Sequence, residues 1–157
     1  MVNRAVLPLA LSVPLALLDA PAAHALESRQ RELVAALPLA VRSVQSCGHW
    51  HEGEADGSFR LVVADVDDGA GTELYIQWLR DPTPAGGPAL LRSVPVRELN
   101  DDHAQVEITE LRCLARKTAT TLEVRGWFEH DATPRLHTWR LELLPAGAYR
   151  LRPGAPR

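Results

Sequence analysis

Residues 121–143 read TLEVRGWFEHDATPRLHTWRLEL, and this stretch decides the fold. Leu122, Val124, Gly126, Phe128 and His130 share one parity, and His137, Trp139, Leu141 and Leu143 share another. Side chains alternate across a strand with period two, so each set occupies one face. The opposite faces carry Glu123, Arg125, Trp127 and Glu129, then Leu136, Thr138, Arg140 and Glu142. One apolar and one charged face mark an antiparallel pair with a single buried side. Asp131 to Pro134 supply the turn, with Pro134 where no ladder donor is needed.

Two registers compete for this hairpin. Pairing Gly126 with Trp139 sets Arg125 against Arg140 and Glu123 against Glu142. Sliding by two residues pairs Glu123 with Arg140 and Trp127 with Leu136, and removes the like-charge contacts. Such a slide leaves every residue on its original face. The second register is favoured.

Working outward, the chain reads as strands separated by turn clusters. Upstream they are Cys47–Glu52, a run around Phe59, Leu61 and Val63, Leu74–Leu79, Leu90–Val96 and Gln105–Arg116. Pro95 marks the fourth as an edge or a bulge. In the fifth, Val106 and Ile108 share one parity while Leu111, Cys113 and Ala115 take the other, so a β-bulge is expected near Thr109 and Glu110. Tyr149–Leu151 gives a short last strand. The expected fold is all-β with a small α addition, an up-and-down antiparallel barrel of about eight strands. A β-sandwich is the alternative. Glu27 to Leu37, with Leu26, Gln30, Leu33, Val34 and Leu37 on one narrow stripe, is the one N-terminal helix. Pro38 stops it, and the narrow stripe fits a helix lying across the mouth or side of the sheet.

The chain opens with Arg4, an apolar run Ala5–Leu18 and Ala23-His24-Ala25, the pattern of a bacterial Sec-type signal peptide over residues 1–25. The apolar run is too short to span a bilayer and is broken by Pro8 and Pro14. Residues 26–157 then form a single secreted domain, periplasmic or extracellular. The 17 basic and 20 acidic side chains of the whole chain mix both signs, so no nucleic-acid partner is expected. No later segment reads as a membrane span. The chain has only two cysteines, Cys47 and Cys113, and an oxidising compartment makes a disulfide between them the default. Closing that loop contributes on the order of 4 kcal/mol in the chain-entropy model.

The densest chemical cluster is Cys47-Gly48-His49-Trp50-His51-Glu52. In an extended strand His49 and His51 project to one side, a way of presenting two imidazoles to zinc or copper. A third ligand would have to come from Glu52, His103, His130 or His137. Asp65 to Glu73 faintly resembles a calcium loop but fails the spacing test, since Gly69 and Ile76 stand where acidic ligands belong. No serine lies in a nucleophile elbow, and there is no H-E-x-x-H motif and no glycine-rich phosphate loop. The expected function is therefore a non-enzymatic binding module without a cofactor, recognising a protein or small ligand through Trp127 on the charged face, or through Trp50 and its flanking histidines. The alternative is a zinc- or copper-binding protein using His49 and His51. A secreted, disulfide-bonded barrel invites comparison with the periplasmic inhibitors of C-type lysozyme. Their Ser-Gly-x-x-Tyr loop is not matched by Ala146-Gly147-Ala148-Tyr149, and no residue role is carried over.

Overall fold

The computed structural model describes residues 29–66, 71–84, 86–101, 103, 105–116 and 119–153. The expected signal peptide and residues 67–70 of the calcium-like turn lie outside the described residues. A helix over residues 29–35 belongs to a first unit that ends at Leu37, and a second, β unit runs from Pro38 onward. The Ala36 amide donates to the Glu32 carbonyl at 2.9 Å, closing the last turn before Pro38.

The β unit holds β1 (Val41–Glu52), β2 (Ala55–Asp65), β3 (Thr72–Arg80), β4 (Ala89–Pro95), β5 (Val106–Ala115), β6 (Thr120–Phe128), β7 (His137–Leu144) and β8 (Ala148–Pro153). They form two four-stranded antiparallel sheets, ordered β1-β2-β3-β4 and β5-β6-β7-β8. The strands are thus the expected antiparallel neighbours, but the closed barrel is corrected. Neither β4 with β5 nor β8 with β1 pairs, so two sheets replace one, in keeping with the sandwich alternative. Both contribute to one core, in which Phe59, Leu61, Leu74, Ile76 and Trp78 meet Val106, Leu122, Val124 and Leu141.

The physical reason for the break lies between β4 and β5. There two β5 backbone groups that a barrel would pair with β4 are taken by a side chain of β3, and Asn100 of the connection bonds to β3 as well. The Asn100 carboxamide accepts from the Leu74 amide at 2.8 Å and donates back to the Leu74 carbonyl at 3.0 Å. The buried Thr72 hydroxyl donates to the Val106 carbonyl at 3.1 Å and accepts from the Ile108 amide at 2.8 Å. Val96 and Leu99 of the connection are buried, so the chain crosses between the sheets instead of continuing the ladder.

Other cross-links tie the sheets. Cys47 of β1 and Cys113 of β5 form the expected disulfide, with Cα atoms 5.4 Å apart. The Trp78 indole N–H donates to the Leu144 carbonyl at 2.9 Å. Arg42 of β1 reaches Asp65 at 3.1 Å and Glu107 of β5 at 2.5 Å.

The central hairpin adopts the favoured register. Glu123 faces Arg140, and the ladder runs from Thr120 opposite Leu143 to Gly126 opposite His137. The expected bulge is present, with the register of β5 on β6 shifting between Ile108 and Glu110. It turns Ile108 and then Leu111 inward while Thr109 and Glu110 face solvent. β4, carrying Pro95, is an edge strand as expected.

Tyr149 pins the β4–β5 connection to the second sheet. Its hydroxyl accepts from the Arg97 amide at 3.0 Å and donates to Glu98 at 2.7 Å. Burial, and then the bond to Glu98, push the phenol up to about 12 from the ordinary 10.0. A raised phenol pKa favours the protonated form in the fold, so this contribution is present below pH 10 and is lost as pH rises toward 12. The chain has only two tyrosines, and Tyr75, bonded to Glu73, is also shifted upward. Absorbance titration of the phenolates should therefore show a late step near pH 12 that disappears in Tyr149→Phe. That variant should also lose about 1 kcal/mol of stability.

Candidate functional site

Gly48 sets the geometry around the histidines. Its φ of +62° falls in the left-handed region, and a Cβ there would stand 2.5 Å from the Thr120 hydroxyl. The register of β1 on β2 shifts between Ser46 and His49 at this point. The bulge lets Cys47 and Trp50, three positions apart, both turn inward, at 0% and 7% exposure. His49 and His51 therefore share the outward side, as their spacing predicts, and both are exposed.

Trp50, expected to be a contact residue, belongs to the core. Its ring lies over Gly57, where a Cβ would come within 2.4 Å of the indole, and its N–H donates to the Ser58 carbonyl at 3.3 Å. Only part of the ring reaches the neighbouring cleft wall.

That cleft, of about 630 Å³, lies where the ends of the two sheets meet. β1 and β2 contribute His49, His51 and Asp56. Arg116 and Thr120 come from the β5–β6 end, and Leu143 and Pro145 add apolar lining. The His51 Nδ1 and Asp56 Oδ1 are 2.5 Å apart, on residues directly opposite in the ladder. Thr120, 3% exposed, donates to the His49 carbonyl at 3.4 Å and so joins the two walls. The arrangement can give hydrogen bonds from two imidazoles and a guanidinium, accept them at Asp56, and pack an apolar part of a ligand on Leu143 and Pro145.

The other proposed metal donors do not join this cleft. His103 is exposed and engages Asp101, its amide lying 3.0 Å from the carboxylate. That contact lowers the Asp101 pKa, the backbone bond first and the side-chain bond second. His130 and His137 pack on Phe128, with ring centroids 5.8 and 4.8 Å away, and His137 stacks on Trp139 at 5.7 Å. Glu52 lines two other clefts. Among the described residues, no three His, Cys, Asp or Glu side chains gather as a metal-holding group.

Trp127 lies on the outer face of the second sheet, half-buried and opposite Glu107. It shares that face with a set of arginines and glutamates centred on Glu123. Sequence reasoning missed Arg116 and Thr120 in the cleft, because both flank the β5–β6 turn and meet His49 only through the packing of the sheets. Among the described residues, no helix is long and apolar enough to cross a membrane. No family model matches the chain, and neither curated proteins nor solved structures provide a match.

Proposed function

We propose that the protein is a non-enzymatic binding module acting outside the cytoplasm, and that it holds a small ligand in the cleft beside His49 and His51. The observation that carries this reading is the cleft itself. Its volume of about 630 Å³ falls within the usual range for small-molecule sites, and its lining combines polar groups with apolar residues. The Thr120 bond and the nearby disulfide hold the two walls together, so binding need not order them. A structural disulfide also fits an oxidising compartment. The ligand class that matches the lining has hydrogen-bonding groups at one end and an apolar body at the other.

Native mass spectrometry of the mature protein, purified from periplasm without chelator, tests this reading. An organic adduct should be present and should be lost in His49→Ala/Arg116→Ala. A bare protein mass in the wild type would count against the proposal. A zinc or copper adduct lost in His49→Ala/His51→Ala would instead support the metal-binding alternative.

A further inference from the structure

We propose that a second pocket, distinct from the cleft beside the histidines, takes a small uncharged aromatic molecule. It encloses about 310 Å³ and is lined by Trp50, Glu52, Trp78, Leu91, Arg92 and Gly147. That volume lies at the lower end of the range for small-molecule sites. It is roughly twice that of a cavity of ~150 Å³ that accepts benzene, so it has room for one or two fused rings.

The ladder and two local irregularities build this pocket. Trp78 of β3 stands directly opposite Arg92 of β4, so the two share the inner side of the sheet. The register of β4 on β3 then shifts between Trp78 and Leu79, which leaves Leu91 as the extra residue without a partner. Out of strict alternation, Leu91 lines the pocket while remaining 51% exposed. From the β7–β8 connection comes Gly147, which ends the 3-10 turn Pro145–Gly147 with a φ of +78°, in the left-handed region. A Cβ there would stand 2.1 Å from the Arg92 Cδ, so the missing side chain makes room for the arginine stem.

The chemistry of the walls selects the ligand. Trp50 and Trp78 are almost fully buried, and each indole N–H is already used, by the Ser58 carbonyl at 3.3 Å and the Leu144 carbonyl at 2.9 Å. What the two rings offer a ligand is therefore carbon, and Leu91 extends that apolar wall. An aromatic ring gains edge-to-face or offset contacts with indoles beyond the area it buries. The two charged lining residues, Glu52 and Arg92, are exposed and of opposite sign. Together they favour neither an anion nor a cation, and an apolar wall disfavours both, so the ligand that fits is neutral. An uncharged polar substituent can hydrogen-bond to either residue. Trp50 also borders the cleft beside His49 and His51, whereas Leu91 and Arg92 do not, so the two sites can be told apart.

The probe is 2-naphthol, titrated into the isotope-labelled mature protein and read by the shifts of backbone amides, leucine methyls and the four indole N–H groups. Shift changes should gather at Trp50, Trp78 and Leu91. Leu91→Asp should weaken binding about tenfold, because it sets a carboxylate against the apolar wall. Leu91 is half exposed on an edge strand, so this variant should melt as the wild type does. Decahydro-2-naphthol, a saturated ring pair of similar shape, should bind about threefold to tenfold more weakly than 2-naphthol. The charged analogues 2-naphthoate and 2-naphthylmethylamine should each bind more weakly too. This series needs only the wild type, so it tests the proposal independently of how the variant folds. Absence of binding, or binding unchanged in Leu91→Asp, overturns the proposal. So does a preference for the saturated alcohol or for either charged analogue. Shift changes that gather at His49 and Arg116 would place the probe in the cleft and overturn it as well, leaving the reading of the cleft intact.

Discussion

Replacing both Cys47 and Cys113 by alanine is expected to lower the unfolding free energy by about 4 kcal/mol. The bond closes a loop spanning a sequence separation of 66, and it joins an edge strand of each sheet. A loop of that size restricts the unfolded chain strongly, and in the folded state the bond ties together two sheets that share no ladder. Domains of this size are stable by only about 5–15 kcal/mol, so the loss is a large fraction of the whole. Chemical denaturation of the oxidised protein beside the double-alanine variant measures it. A difference below about 1 kcal/mol would mean that the Thr72, Trp78 and Arg42 contacts already hold the sheets without the covalent tie.

Trp78→Ala is the second large effect, at about 3–5 kcal/mol. Trp78 is 2% exposed, meets Phe59 edge-to-face at 5.7 Å, and sends its indole N–H to the Leu144 carbonyl in the other sheet. Removing the ring leaves a cavity in the shared core and a carbonyl without its donor. Trp78→Phe separates the two terms. It keeps most of the apolar volume but loses the N–H, and should cost about 1–3 kcal/mol. Urea denaturation of the three proteins distinguishes them. If both variants lost the same amount, the hydrogen bond rather than the packing would carry the effect.

The hairpin was legible because its charges and its apolar alternation agree. Glu123 against Arg140 is both the better electrostatic register and the observed one. The β5 bulge was legible for the same reason, since a phase change in the apolar pattern needs an extra residue. The barrel was not refuted by any local pattern. Closure depends on whether β4 pairs with β5, and the Val106 carbonyl and Ile108 amide of β5 are taken instead by Thr72, a β3 residue far away in sequence. The burial of Trp50 was not legible, because the bulge at Gly48 resets the alternation after Cys47. The outward pairing of His49 and His51 was correct, but the rest of the cleft comes from the other sheet. No spacing rule links Arg116 or Thr120 to β1.

The central claim is that the cleft between the sheet ends is the ligand site, and a fragment screen read by amide chemical shifts of the mature protein tests it most directly. The account predicts that shift changes from binding fragments gather at His49, His51, Arg116, Thr120 and Leu143, and vanish in His49→Ala/Arg116→Ala. Changes that concentrate elsewhere, or that persist unaltered in that variant, would contradict it.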